Sequence, residues 1–210
     1  YGKLVANDIL AWRSTDGFAT VLPPYTGGTD IGEWRPTPPD FTPGALPQFA
    51  TMTPWSIRSP DQFRAAGPPS LTSDEYAAAF NEVKTWGRAT GSPRTLDQTS
   101  LAIFWAGNTP AYWNRIASSV IGHRDMTLIR KARVFALLNV AMADAGIACW
   151  DTKYHYVFWR PITAITLADQ DGNPSTDVDH DWTPLLGVTP GHPEYVSGHS
   201  TVSGAAVKVL

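Results

Sequence analysis

The sequence predicts an all-α fold, in which a helical bundle follows a proline-rich extended segment. Apolar residues recur at helical spacing over residues 71–160, which is typical of helices that pack against one another. Residues that start and stop helices flank these stretches, and few stretches alternate with the period of a strand. Hydrophobic residues make up 43 % of the chain and charged residues 17 %, which indicates a folded protein with a substantial core.

Composition also excludes several classes of function. The net charge of −3 is not that of a nucleic-acid-binding surface, and no apolar run approaches the roughly 18 residues of a membrane span. We therefore predict no nucleic-acid partner and no transmembrane segment. The one cysteine, Cys149, excludes an intrachain disulfide and is interpreted as a small buried side chain.

The two ends of the chain predict an incomplete domain. The chain opens on "YGKLVANDIL" without an initiator methionine, and it closes on "GAAVKVL" within a predicted helix. We therefore expect residues 1–210 to form a single helical domain of which part is missing.

The first elements are a short helix and an extended segment. Residues 3–13 are predicted to form an amphipathic helix. Residues 20–70, called the proline-rich segment below, contain 11 of the 18 prolines. Each proline removes a backbone donor and fixes φ, so neither a regular helix nor a central strand fits. We predict an ordered segment, because aromatic anchors recur along it: Trp34, Phe41, Phe49, Trp55 and Phe63.

Residues 71–160 are predicted to form the helical core. Its first helix begins at Thr72, whose side chain would form a capping box with Glu75. The second and third helices are expected over residues 95–105 and 109–122, each followed or ended by a glycine. The fourth helix starts near residue 125, is bounded by Pro161 and is apolar nearly all round, which predicts a central buried helix with one break near Gly146.

Residues 161–196 are predicted to form a loop that leads to the functional site, and residues 197–210 to begin the site helix. Long loops with little periodicity inside a compact domain are often functional. Within this loop, the acidic run at residues 169–181 is interpreted as a solvated turn, since it lacks the glutamate at the twelfth position of a calcium-binding loop.

Two cations, Lys153 and Arg160, stand seven positions apart in the aromatic run "KYHYVFWRP". On a continuous α-helix this spacing places both side chains on one face, about 10 Å apart along the axis. Charged groups among apolar residues are costly unless they are paired. Either each cation pairs with a carboxylate, for which Asp144 and Asp151 are near in sequence, or both cations face one bound anion.

The turn "SGH" at residues 197–199 favours the anion. A helix that begins at Ser197 presents free backbone N–H groups and the positive end of its dipole, both of which attract an anion. Gly198 allows the backbone to approach a ligand closely, and His199 supplies an acid or a base near neutral pH. The alternative is an ordinary N-capping serine.

The pattern of Lys153 and Arg160-Pro161, followed by Ser197-Gly198-His199, resembles the first two signature blocks of the vanadium-dependent haloperoxidases. These blocks are shared with the type 2 phosphatidic acid phosphatases and the bacterial class A acid phosphatases. Val196 stands where that superfamily usually has proline. The stretches "PPSLTSDEYAAAFNEVK", "ALLNVAMADAGIACWDTKY" and "HPEYVSGHSTVSGA" extend the resemblance over nearly the whole chain. The implied fold is the helical bundle of the vanadium haloperoxidase and acid phosphatase type.

The resemblance implies a role for each residue of the two blocks. Lys153 and Arg160, with the Ser197 hydroxyl and the Gly198 N–H, would bind the oxygens of vanadate or phosphate. His199 would act as the acid–base group.

Two further expectations concern histidines outside these blocks. His192, which stands in the preceding loop, is expected at the edge of the site. The family also uses a later arginine and a second histidine that bonds vanadium. We therefore expect the axial histidine beyond Leu210, the last residue of this sequence, and no metal ligand within this chain.

The implied activity is oxidation of halide by hydrogen peroxide on bound vanadate. The alternative is an acid phosphatase that hydrolyses phosphomonoesters or lipid phosphates at the same site. A third hypothesis is a helical fragment that is catalytically incomplete. The resemblance also favours a secreted or periplasmic location, and the sequence leaves a homo-oligomer open.

Overall fold

The computed structural model describes residues 1–210 and confirms the all-α fold. It contains no strand, and its β pairing consists of two isolated bridges. The α-helices are α1 (Gly2–Arg13), α2 (Asp74–Gly87), α3 (Leu96–Trp105), α4 (Thr109–Gly122), α5 (Leu128–Tyr156), α6 (Pro161–Thr166) and α7 (Gly198–Val209). Two short 3-10 helices span Pro47–Thr51 and Ala168–Gln170.

Side chains that accept a hydrogen bond from the first helical turn fix the helix starts. Such N-caps stand before α3, α4, α5 and α7: Thr95, Asn108, Thr127 and Ser197. At α2 the predicted N-cap is wrong by one residue, because Ser73 accepts the hydrogen bond from the Tyr76 N–H at 3.1 Å. The Thr72 hydroxyl lies 3.2 Å from the Ser70 hydroxyl instead. Neighbouring hydroxyl residues thus compete for the cap.

Helix α5 is one uninterrupted helix of 29 residues, so the predicted break near Gly146 is wrong. A Cβ added at Gly146 would meet no atom within 4 Å. This position therefore faces open space, and the helix continues through it. The prediction of a helix buried along its length is also wrong, because burial begins at Leu138. By length and composition alone, α5 could cross a membrane, a property that the core helices of soluble proteins share.

The proline-rich segment contains only the short 3-10 helix Pro47–Thr51, which packs against α5. Trp34 is fully buried and stacks on Tyr25 with ring centroids 5.7 Å apart. Among the other predicted anchors, Phe41 and Phe63 are exposed. Aromatic spacing alone could not separate them from Trp34, because burial depends on tertiary contacts such as the hydrogen bond from the Trp34 N–H to the Val157 carbonyl.

Two apolar clusters hold the helices together. The first joins α2 to α6 and the segments beside it through Tyr76, Phe80, Trp159, Ile162, Ala164, Ile165, Ala168 and Trp182. The second joins α4, α5 and α7 through Ala117, Ile121, Leu138, Met142, Val202 and Ala206. Burial of each large apolar side chain stabilises the fold by about 1.5–3 kcal/mol. The second cluster packs α7 along α5, and this packing positions the first turn of α7.

The segment predicted as a loop, residues 161–196, begins with helix α6 and continues through the 3-10 helix Ala168–Gln170. Pro161 is the first residue of α6, where its fixed φ and missing N–H favour a helix start. The interpretation of residues 169–181 as a solvated turn is wrong for its first part. Asp171 and Asn173 are buried, and the Asn173 side chain donates to the Leu71 carbonyl at 2.7 Å. This turn therefore braces the chain just before α2.

Candidate oxyanion site

One cavity of about 560 Å³ brings together all six residues that the sequence indicates for the site. These residues are Lys153, Arg160, His192, Ser197, Gly198 and His199. One wall is a face of α5 formed by Met142, Gly146, Trp150 and Lys153, whose spacing of three or four residues is that of a helix face. The first turns of α7 and α4 form two further walls.

The two cations converge for a reason that differs from the predicted one. The expectation that Lys153 and Arg160 share one face of a continuous helix is wrong, because α5 ends at Tyr156 and Val157 adopts a left-handed conformation with φ of 44°. Arg160 is the N-cap residue of α6. The chain therefore turns between the two cations, and the turn brings Arg160 to the cavity that Lys153 lines from α5.

Backbone hydrogen bonds on both sides hold this turn in place. The Trp34 N–H donates to the Val157 carbonyl at 2.6 Å, and the Trp159 N–H donates to the Gly32 carbonyl at 2.9 Å. From the other side, the Glu194 N–H donates to the Phe158 carbonyl at 2.9 Å. The start of the proline-rich segment and the residues before α7 thus fix the position of the turn that carries Arg160.

Lys153 is buried, with 1 % of its surface exposed, and it has no carboxylate partner. Its ammonium group donates to the Pro193 carbonyl at 2.7 Å and to the Glu194 carbonyl at 2.8 Å. Burial lowers the pKa of Lys153 to about 8. An ammonium group has three N–H donors, so one donor remains after these two hydrogen bonds.

The carboxylates that could have paired with Lys153 have other partners. Asp144 accepts hydrogen bonds from the backbone N–H groups of Trp55, Ser56 and Ile57 at 2.6 to 3.2 Å. Asp151 accepts two hydrogen bonds from Arg64, each 2.7 Å long. The alternative in which Lys153 pairs with Asp144 or Asp151 is therefore wrong. The Asp144 side chain secures the proline-rich segment.

Arg160 lies beside a carboxylate that the sequence analysis did not single out. Its Nη1 atom is 2.8 Å from Oε2 of Glu194. Glu194 Oε2 is buried and accepts no hydrogen bond, and Arg160 Nε is also buried without a partner. Burial lowers the pKa of Arg160, whereas the Glu194 charge raises it. The one sequence signal for Glu194 was an acidic residue three positions before Ser197.

The "SGH" turn forms the start of α7, as its sequence predicts. Ser197 is the N-cap residue, and its hydroxyl accepts the Ser200 N–H at 3.2 Å, while its own O–H remains a possible donor. The backbone N–H groups of Gly198 and His199 have no acceptor within the protein. These free donors and the helix dipole make this wall of the cavity electropositive.

His192 and His199 are the two histidines that line the cavity. Burial, together with the charges on Lys153 and Arg160, lowers the pKa of His192 to about 4, so this imidazole is neutral at pH 7. Its Nδ1 atom lies 3.0 Å from the Pro193 carbonyl. Because a carbonyl only accepts, Nδ1 carries the proton and Nε2 is the free acceptor. His199 has an exposed side chain.

Three histidines stay outside the site, and the sequence analysis missed two parts of its wall. His123, His155 and His180 lie outside the cavity wall. Sequence reasoning missed Trp150, whose ring lies 5.3 Å from the ring of His192, and the start of α4 at residues 108–110. Cys149 is buried, and burial raises the pKa of its thiol. No group of three or more His, Cys, Asp or Glu residues is arranged to hold a metal cation.

The axial histidine is expected beyond Leu210, the residue that caps the C-terminal end of α7. Leu210 is the C-cap residue of α7, and its N–H donates to the Ala206 carbonyl at 3.2 Å. Its side chain packs against the second apolar cluster and does not line the cavity. A histidine beyond Leu210 lies outside the described residues 1–210, so the axial ligand stays a prediction.

Comparison with known proteins points to one group of enzymes. The family described as the VCPO second helical-bundle domain matches residues 133–210, a range that contains the six residues that the sequence indicates for the site and Glu194. Vanadium chloroperoxidase from Curvularia inaequalis is 28 % identical, in an alignment that covers 69 % of this chain and 29 % of that protein.

The solved structures agree. A bacterial vanadium-dependent iodoperoxidase superposes with a TM-score of 0.85 and 32 % identity, covering 100 % of this chain and 52 % of its own. A holo-type bacterial vanadium-dependent chloroperoxidase gives a TM-score of 0.66 at 19 % identity, over 98 % of this chain and 54 % of its own. The second similarity supports the fold alone. This chain spans about half the length of these solved relatives.

Proposed function

Since the chain is a vanadium haloperoxidase-related protein, we propose that its cavity binds vanadate and that the protein oxidises halide with hydrogen peroxide. The observation that carries this proposal is the convergence of Lys153, Arg160 and the first turn of α7 on one cavity. A multiply charged oxyanion requires several cations and oriented N–H donors, which bind it through short, charge-assisted hydrogen bonds.

The donors of the cavity fit an oxyanion. The remaining N–H of Lys153 and the unpartnered Nε of Arg160 are hydrogen-bonding capacity that the protein does not use internally. The free N–H groups of Gly198 and His199 add two further donors, and the Ser197 hydroxyl adds a third. Burying such donors without an acceptor is costly, so an anion in the cavity would stabilise the protein.

Packing against the protein does not explain the glycine at position 198. A Cβ there would meet Trp150 at 3.6 Å and Cys149 at 3.9 Å, which are ordinary contacts. Close approach of a ligand to the backbone N–H is a different requirement, and only a residue without a side chain meets it fully. This observation supports Gly198 as part of the binding surface.

Each residue of the cavity would have its own role in the reaction. Vanadate, when bound, supplies a centre that activates hydrogen peroxide for oxygen transfer to halide. Lys153 and Arg160 hold the oxyanion charge, and Trp150 keeps one side of the cavity apolar. His199, in the first turn of α7, takes and returns a proton at the cavity mouth. His192 stays neutral, so it adds an acceptor and no charge.

The test is a peroxide-dependent bromination assay on the purified protein, with and without added vanadate. We expect bromination to rise on addition of vanadate and to fall again when excess phosphate competes for the cavity. Bromination that does not respond to vanadate would contradict the proposal. Hydrolysis of a phosphate monoester, inhibited by vanadate, would instead favour the phosphatase alternative.

Binding must be measured beside turnover, because a protein that binds vanadate without catalysis would fit the third hypothesis. Isothermal titration calorimetry with vanadate separates the two properties. We expect saturable binding, and a folded protein without any heat of binding would contradict the vanadate site itself.

A further inference from the structure

Glu194 is the one acidic residue among those that line the cavity. A carboxylate beside two cations and several free N–H groups opposes the binding of every anion through charge repulsion. The donors of the site do not require it, since Lys153 is held by carbonyl groups. Its presence in the wall therefore calls for a function of its own.

The chain holds this carboxylate in place from three directions. The Glu194 N–H donates to the Phe158 carbonyl at 2.9 Å, and the Glu194 carbonyl accepts the Lys153 ammonium at 2.8 Å. Its side chain lies 2.8 Å from the Arg160 guanidinium and is 36 % exposed. Glu194 is thus anchored at the site and is not a mobile surface group.

The carboxylate has acceptor capacity that the protein leaves unused. It accepts no hydrogen bond, and its buried Oε2 atom has only the ionic contact to Arg160. An ionised carboxylate can accept about four hydrogen bonds and donates none. The Arg160 side chain beside it has an unpartnered Nε donor. Both residues line the cavity, and the Glu194 side chain is 36 % exposed, so this side of the cavity offers a positive group next to a negative acceptor.

A donor next to an acceptor matches an oxyanion that still carries a proton. Its charged oxygens contact the cations, and its O–H group donates to the carboxylate. At neutral pH, vanadate and phosphate carry at least one proton, whereas sulfate carries none. A fully ionised oxyanion would place a negative oxygen against Glu194, and such unpaired repulsion is how binding sites reject a competitor.

We infer that Glu194 is a selectivity residue, which admits proton-bearing oxyanions such as vanadate and phosphate and excludes fully ionised ones such as sulfate. This inference rests on the proposed function, because it assumes that an oxyanion occupies the cavity. It adds a preference among oxyanions that the cations and the free N–H groups do not provide.

The experiment measures the dissociation constants of inorganic phosphate and sulfate by calorimetry on wild-type protein and on Glu194→Gln. A glutamine amide can turn its N–H₂ group toward a fully ionised oxygen, so the variant should accept sulfate. We expect wild-type protein to prefer phosphate at least about tenfold, and Glu194→Gln to reduce that ratio about tenfold. Glu194→Asp keeps the carboxylate and should keep a preference for phosphate.

A matched control is Glu82→Gln, which removes one negative charge from an exposed position on α2. We expect Glu82→Gln to leave the phosphate-to-sulfate ratio unchanged. A wild-type ratio near one would overturn the inference without reference to any variant. Equal ratios in wild-type protein and Glu194→Gln, with vanadate still bound by both, would overturn the inference and leave the proposed function standing. If the folded wild-type protein binds none of the three anions, the proposed function fails and the inference fails with it.

Discussion

Helix α5 divides at Leu138 into two parts of unequal length, called its first and second half, which are built in opposite ways. In the first half, residues 128–137, no side chain is buried, and Leu128 and Ile129 are largely exposed. The second half, residues 138–156, has eight buried residues: Leu138, Met142, Asp144, Ile147, Cys149, Asp151, Thr152 and Lys153. The buried charged residues Asp144, Asp151 and Lys153 thus lie in the same half of α5 that contributes to the core and to the cavity wall.

The buried charges of the second half also differ from one another. Asp144 and Asp151 are satisfied by backbone N–H groups and by Arg64, respectively. Lys153 contacts only neutral carbonyls and keeps a free donor. The two carboxylates thus have partners within the fold, whereas the Lys153 ammonium has no counter-ion, which is the property that the proposed oxyanion site requires. Four changes sharpen or break this comparison.

The largest effect is expected for Asp144→Ala. The variant leaves three backbone N–H groups of residues 55–57 without the acceptor that they have in the wild type. Buried charged hydrogen bonds of this kind are costly to break, so the free energy of unfolding should fall by roughly 3–5 kcal/mol. Urea denaturation followed by circular dichroism measures it. The exposed Asp8→Ala on α1 is the control, and equal losses in both variants would break the comparison.

Ile147→Ala and Ile129→Ala compare the two halves of α5 directly. Ile147 is 2 % exposed and Ile129 is 81 % exposed. Removing the buried side chain should cost about 2–4 kcal/mol through lost burial and the cavity left behind, whereas the exposed change should stay within about 0.5 kcal/mol. The same denaturation experiment applies. A large loss for Ile129→Ala would mean that the first half is buried in solution.

Lys153→Ala tests the cation. Loss of a charge-assisted contact should weaken vanadate binding by about 1.5–3 kcal/mol, or roughly 10- to 150-fold. Lys208→Ala, which removes an exposed lysine near the end of α7, should not weaken it. Calorimetric titration of both variants gives the affinities. Unchanged affinity in Lys153→Ala would show that this ammonium does not face the anion.

The smallest effect is a pH dependence of anion binding. Burial lowers the pKa of Lys153 to about 8, so the ammonium is charged below that pH and neutral above it. Anion affinity should therefore be complete below pH 8 and fall by up to about tenfold one pH unit above it. In Lys153→Arg the charge persists, so its affinity should lack this step. The protonation of the anion itself also changes with pH. This change is the same for the wild type and Lys153→Arg, so it cancels in the ratio of their affinities.

The helices follow largely from local sequence. The predicted ranges agree with α1, α3 and α4 to within about one residue, because capping side chains and glycines act over a few positions. The apolar pattern of α5 could not tell which half is buried, since that depends on α7 and on the proline-rich segment packed against its second half.

The geometry of the site was harder to predict from the sequence than the identity of its residues. The two cations were recognised, but their geometry was wrong, because a left-handed valine at position 157 ends α5 where a glycine would be the usual signal. Glu194 was missed because its partner Arg160 lies in another part of the sequence and only the turn at residues 157–160 brings them together.

The contacts of Asp144 and Asp151 have a consequence for synthesis of the protein. Their partners in residues 55–64 precede them by 87 to 89 positions. At about 5–20 residues per second, the ribosome needs roughly 4–18 s to add that length. During this interval the nascent proline-rich segment lacks its contacts with α5, and chaperones and proteases can reach the residues that form them. Contacts so distant in sequence also close slowly, so we expect the lysine-bearing wall of the cavity to be among the last parts of the protein to form.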